Sequence, residues 1–244
     1  VPFLYNHLIQ SIRSAINYGD RPVSQYRPLV KGKEGTTMKA KVLVLLMILS
    51  LIAVIAGCGG SRTYLIDVRY LPATDVPAAS EVTQKAVVGV CPFDDVRKEK
   101  VKDTIGIRQR RGKQVDFVKV AGTSVSDSVT RAVKDYFSDK GFQVTDCKGW
   151  DQTPEGLDRL PQDIFLAVGG KIESFMVEAK AGLATTEIQY RIKVAASIGY
   201  PGQRRVVIRT MDSSPQVKKI TFNPEELQAT LNETLTEVIR NLFK

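Results

Sequence analysis

Fifteen uncharged residues in a row, VLVLLMILSLIAVIA at 42–56, constrain this chain more than any other feature of its 244 residues. A membrane-spanning helix needs roughly 20 apolar residues, with about 17 as the lower limit. Fifteen is short for a span and right for the apolar h-region of a secretory signal, at roughly 7–15 residues. Lys39 and Lys41 precede the run as a positive n-region, and Met38 stands just before them. Residues 38–57 are therefore expected to form a signal peptide, with the folded part of the chain on its C-terminal side.

The run ends Ile55-Ala56-Gly57-Cys58, which resembles the lipobox of bacterial lipoproteins: an aliphatic residue and two small ones before an obligatory cysteine. The resemblance implies cleavage before Cys58, a diacylglycerol thioether on its sulfur, and a further acyl chain such as palmitate on the new amino group. Several chains on one residue exceed the two signals that stable anchoring takes. No cofactor beyond this covalent lipid is expected. Gly59 rather than Asp after the cysteine implies, by the sorting pattern of such proteins, the outer membrane with the domain facing the periplasm. Residues 1–37 lack sustained periodicity and precede a segment that normally begins a protein. Val1 fits a literally translated GUG codon, and Lys33-Glu34-Gly35 fits a purine-rich ribosome-binding sequence upstream of Met38. Residues 1–37 thus read as an untranslated leader or else as a disordered extension.

The formal charge of +9 invites a nucleic-acid reading. Its location argues otherwise. Residues 1–37 hold five cations against two acids and the signal adds two lysines, so residues 58–244 carry +4. Export also takes the domain away from nucleic acid, which is not an expected partner. The sole histidine, His7, lies in the leader. Without it, Ser-His-Asp and Cys-His catalysis and every histidine-containing metal site are lost to the mature chain. After residue 57 there is no Ser-x-x-Lys, GxxxxGKS/T or GxGxxG pattern. Asp94 and Asp95 read as turn formers at a strand end, with a carboxylate-based hydrolase as the remote alternative. The expectation is a protein that is not an enzyme.

Residues 58–84 read as a tether and N-terminal strand, with Tyr64, Ile66, Val68 and Tyr70 alternating, and 85–244 as a single α+β domain. Strands are expected at 85–93 and 142–147 around a helix at 124–140, where Val125, Val129, Ala132, Val133, Tyr136 and Phe137 recur at three and four spacing. Such a β-helix-β unit ends its parallel strands on one side, so Cys91 and Cys147 can meet as a disulfide; the other reading is two buried thiols. Strands at 164–179, 186–198, 204–211 and 217–222 continue the domain as a meander, with Gly169-Gly170 marking a bend or bulge. Asn223 caps a last helix that has Pro224 in its first turn and Leu227, Leu231, Leu235, Val238, Ile239 and Leu242 on one stripe. The expected fold class is α+β: a mostly antiparallel sheet with two amphipathic helices packed on one face.

At Asp95-x-Arg97, VSDSVTRAVKDYFSDKGFQV, GGKIESFMVEAKAG, TEIQYRIKVAASI and NPEELQATLNETLTEVIRNLF the domain resembles the YajG-like family of bacterial envelope lipoproteins. More distantly it resembles auxiliary lipoproteins of lipid-transporting ABC systems. Neither resemblance supplies catalytic residues. Residues 97–113 carry eight cations against Glu99 and Asp103, more net charge than the whole of 58–244. Their tip, with Arg108, Arg110, Arg111 and Lys113, reads either as a solvated loop or as a projecting basic hairpin that meets anionic lipid or an acidic protein. Three functions stay open. One is a membrane-anchored lipoprotein with a non-enzymatic binding or scaffolding domain. Another is an accessory subunit of a lipid or envelope-polymer transport system, with envelope or transporter proteins as partners. The third is the hydrolase.

Overall fold

The computed structural model describes residue 47 and residues 60–72 and 86–244, so Cys58 and nearly all of the signal segment lie outside the described residues. The chain divides into two units, Val1–Cys58 and Gly59–Lys244, and the fold is that of the second. Its elements are β1 (Thr63–Ile66), β2 (Val87–Asp95), β3 (Thr104–Gln109), β4 (Val115–Val120), α1 (Val125–Asp139) and β5 (Gln143–Asp146). Then come β6 (Ile164–Ala181), β7 (Thr186–Tyr200), β8 (Arg205–Ser213), β9 (Gln216–Lys219) and α2 (Pro224–Leu242).

The two long apolar runs, β6 and β7, pair antiparallel along their whole length and carry everything else. β6 changes partner half-way: its first half pairs β2 and its second half pairs β3, both in parallel. β2 in turn carries β5, and β3 carries β4 and then β1. On the far side, β7 pairs β9 with its first half and β8 with its second. Antiparallel ladders hold most of the paired residues, as the alternation at 186–198 implies. Half of the pairings are nevertheless parallel, so the sheet is mixed. Parallel neighbours need a long crossover, and the β3–β4 hairpin with α1 supplies one between β2 and β5.

A register shift in the β2–β6 ladder falls between Val90 and Phe93, opposite Gly169, with the extra residue on β2, and a second one in the β6–β7 ladder falls between Ile172 and Ser174. Gly170 permits close approach, since a Cβ there would collide with the Ala195 carbonyl and sit 2.7 Å from the Phe93 ring. Local signals set both helices. Ser124 and Asp127 form a capping box on α1, and Asn223 accepts the Glu225 N–H at the start of α2. Their buried stripes, Val125, Val129 and Val133 on α1 and Leu227, Leu231 and Leu235 on α2, join residues of β2, β6 and β7 in one core. Each such leucine contributes about 2 kcal/mol by leaving water. Thr130 Oγ1 accepts the Phe93 N–H at 3.0 Å and the Ser126 hydroxyl donates to the Phe93 carbonyl, which pins α1 to β2. Cys91, Ile164 and Ala167 alternate with core residues of the same strands and belong to a second, smaller core with Trp150, Leu157 and Leu160. Within it Cys91 and Cys147 are joined, their Cα atoms 4.4 Å apart.

The alternation that begins at Tyr64 outlasts β1, which ends at Ile66. From Asp67 to Leu71 the backbone is paired by side chains of α2. Gln228, Asn232 and Thr236 accept the N–H groups of Asp67, Arg69 and Leu71 at 2.9, 3.1 and 2.9 Å. Asn232 and Arg240 donate to the carbonyls of Asp67 and Leu71, both at 3.0 Å. Four helical residues rise about 6 Å and two extended residues about 6.6 Å, so side chains spaced by four meet every second backbone group. Asn232 is buried, and Asn232→Ala strips partners from two backbone groups at once. The expected cost is about 2 kcal/mol in urea unfolding, with faster amide exchange at Arg69. Unchanged exchange at Arg69 would refute the ladder.

Candidate functional site

The β3–β4 hairpin turns at 110–114, where Gly112 (φ +85°) and Lys113 (φ +68°) take the left-handed conformation. Beyond the turn, β4 alternates Asp116, Val118 and Val120 inward, so a carboxylate occupies a fully buried position. Its Oδ1 accepts the Arg62 N–H at 2.9 Å and two bonds from Arg110, from Nε at 3.0 Å and Nη2 at 2.6 Å. Its Oδ2 accepts from the Tyr64 hydroxyl at 3.4 Å and pairs with Arg108 Nη1 at 3.7 Å. Burial pushes the Asp116 carboxyl up, but the Arg62 N–H and the Arg110 and Arg108 guanidinium groups outweigh it and hold the pKa below the ordinary value.

A carboxylate with a depressed native pKa contributes stability that is fully present above its unfolded value, about 3.9, and lost as pH falls through the native one. The acid limb of a plot of urea midpoint against pH is therefore expected to be shallower in Asp116→Asn than in the parent. Parallel limbs would show that Asp116 carries none of the acid sensitivity.

Around this knot lies a cavity of about 330 Å³, lined by Arg108, Arg110, Arg111, Gln114, Gly182 and Ile220 among others. Its lining holds no acid, and Asp116 is the one carboxylate paired with these arginines among the described residues. Arg111 donates Nε to the Gly182 carbonyl at 2.9 Å. Arg108 lies over the Phe222 ring, 4.1 Å from its centre, and its Nε is buried with no hydrogen-bond partner. Three guanidinium charges against one carboxylate leave two positive charges in excess, which favours an anion with several oxygens. Two aliphatic side chains flank the cavity in water: Leu183, between the lining residues Gly182 and Ala184, is 93% exposed, and Ile220 is 83% exposed. The tether enters here too, since Arg110 Nη2 donates to the Gly60 carbonyl at 2.9 Å.

Arg108, Arg110 and Arg111 thus converge, but docked on the sheet rather than projecting from it. Lys113 stays exposed at the hairpin turn, outside the cavity lining. Arg97, the first cation of the basic run, is buried and fully bound. Sequence reading missed Asp116, Tyr64 and Phe222. The available signal was an acid on the inward face of VDFVKV, where an unpaired carboxylate would be costly.

A second cavity, of about 450 Å³, is lined by Asp94, Asp151, Gln152, Lys171, Ser197 and Ile208 among others. Asp94 shares this cleft with Asp151, whereas Asp95 faces Arg97. The Thr153 hydroxyl and N–H hold the Asp151 carboxyl below its ordinary range, the wrong direction for a general acid. Gln152 takes a left-handed φ of +63° and accepts a bond from the Ser197 hydroxyl at 2.8 Å. Among the described residues there is no cluster of three or more His, Cys, Asp or Glu side chains fit for a metal ion. No described helix is long and apolar enough to cross a membrane.

No protein-family model matches the chain, and no curated protein does. Solved structures with a similar path include an uncharacterised protein, 9% identical over 75% of this chain and 95% of its own, with a TM-score of 0.44. Lipoprotein GNA1162 from Neisseria meningitidis is 10% identical over 64% of this chain and 99% of its own, with a TM-score of 0.36. A PelC dodecamer from Paraburkholderia phytofirmans is 9% identical over 68% of this chain and 93% of its own, also at 0.36. Likeness at this level assigns no function.

Proposed function

We propose that the chain is a bacterial envelope lipoprotein: a non-enzymatic binding domain carried on lipid at Cys58 and facing the periplasm from the outer membrane. The observation that supports this most is how the residues next to Cys58 are held. Ile55-Ala56-Gly57-Cys58 places the cleavage and lipidation point two residues before Gly60, whose carbonyl is already held by Arg110. Arg62, two residues further on, is held by Asp116. An anchor at Cys58 would therefore act on a fixed part of the domain rather than through a long slack linker. The arginine cavity beside it is the binding surface, and the direction of the Asp151 shift speaks against acid catalysis in the other cleft.

Cells producing the chain and fed labelled palmitate are expected to label it, with the label abolished in Cys58→Ser and the parent found in the outer-membrane fraction. An unlabelled parent, or a Cys58→Ser chain that keeps the label, overturns the anchor. Labelled protein in the inner membrane overturns the sorting assignment alone.

A further inference from the structure

Resting on that lipoprotein reading, we infer that the arginine cavity binds the phosphate of an anionic phospholipid headgroup in the same membrane that holds the Cys58 lipid. Three independent features meet at one place. The first is charge: Arg108, Arg110 and Arg111 line about 330 Å³ with no acid in the lining, and Asp116 neutralises only one of the three. Guanidinium forks match phosphate oxygens in geometry as well as in sign. The buried, unpartnered Nε of Arg108 is a donor of the kind that a bound oxygen satisfies.

The second is apolar exposure. Leu183 and Ile220 are almost wholly in water beside the cavity. Aliphatic side chains around a basic site suit the boundary between headgroups and acyl chains, where both kinds of group find their medium. A soluble phosphate ester would leave these two residues without a role. The third is covalent: two residues of chain span at most about 7 Å, so Cys58 cannot lie farther than that from Gly60, which Arg110 holds. The lipid and the cavity are thereby bound to the same membrane surface. A zwitterionic headgroup would bring its own ammonium into a site with excess positive charge and no acid to receive it. Phosphatidylglycerol, with a phosphodiester and an uncharged glycerol, fits better.

The whole chain is extracted in a neutral detergent and weighed by native mass spectrometry with phosphatidylglycerol, phosphatidylcholine or inorganic phosphate added. Phosphatidylglycerol is expected to be retained about tenfold more than phosphatidylcholine, and Arg111→Glu to lose that preference. Among the described residues the one hydrogen bond of the Arg111 side chain is to the Gly182 carbonyl, an exposed contact, so the variant is expected to keep its fold. Equal retention of the two lipids, or an intact preference in Arg111→Glu, overturns the inference. Displacement of phosphatidylglycerol by inorganic phosphate at equal concentration also overturns it, since the site would then take free phosphate. The same spectra report the chain's own mass, so a chain lacking acyl groups on Cys58 fails the lipoprotein reading separately.

In a second experiment Leu183→Trp is reconstituted in phosphatidylglycerol vesicles with brominated acyl chains. Trp150, the chain's single tryptophan, is buried and supplies the background. Strong quenching of the added emission is expected, and an unquenched signal overturns the placement of this face on the membrane.

Discussion

Replacing Arg97 with methionine is expected to lower the unfolding free energy by about 3–5 kcal/mol, the range for removing one partner of a buried ion pair. Its guanidinium has 1% of its side chain exposed and uses all five of its donors. Nε and Nη2 grip Asp95 at 2.9 and 2.8 Å, and the remaining bonds reach the carbonyls of Thr104, Phe175 and Lys102 at 3.2, 3.1 and 2.7 Å. These carbonyls come from the loop after β2, from the first residue of β3 and from β6 just past its irregularity, so one side chain closes the loop between β2 and β3 onto the sheet. Methionine fills similar volume but leaves Asp95, itself only 10% exposed, with Lys102 at 3.4 Å as its one remaining ion-pair partner, and takes the guanidinium donors away from three carbonyls. Arg97→Lys has three donors in place of five and should fall between the two. Chemical denaturation measures the loss, and amide exchange across 97–104 locates it. A loss below about 1 kcal/mol would mean that water replaces the guanidinium, and the interpretation would fail.

Reduction of the Cys91–Cys147 bridge, or the double substitution Cys91→Ala with Cys147→Ala, is the second large effect. The bridge spans 56 residues of sequence, and closing a loop of that size stabilises by about 4 kcal/mol in the chain-entropy view. That loop contains the β3–β4 hairpin, α1 and β5, so the reduced chain gains freedom over a large share of the domain when unfolded. The local reporter is Trp150, which packs in the same small core and donates its Nε1 to the Thr153 carbonyl at 3.0 Å. Reductant should lower the urea midpoint and shift Trp150 emission to the red. Titratable thiols at both Cys91 and Cys147 in the unreduced chain would exclude the bridge, and an unchanged midpoint on reduction would exclude its contribution.

Legibility in the sequence depended on the range of each interaction. The start of α2 is legible to the residue because Asn223, Pro224 and the leucine stripe act within a few positions of one another. α1 is equally legible from Ser124 and its three-and-four spacing. The β2–α1–β5 unit is legible as a motif, which brings Cys91 and Cys147 within reach. The destination of Arg97 is not legible, because its partners are Asp95, two residues away, and Phe175, seventy-eight away. A run of eight cations looks like one basic surface. Four of them, Arg97, Lys102, Arg108 and Arg110, turn out to share two carboxylates, Asp95 and Asp116.

The sequence by itself determined the apolar run at 42–56, the cysteine just past it, the two helices and the alternating strands. Each of these is a local pattern whose physics is settled by neighbours in the chain. Only the tertiary structure decided the partner switch along β6, the side-chain ladder from α2 onto 67–71, and the gathering of Arg108, Arg110 and Arg111 beside Gly60. Those outcomes rest on buried groups finding partners across the fold. The cost of leaving such a group unpaired is what selects one arrangement of the strands over others that satisfy the same local pattern.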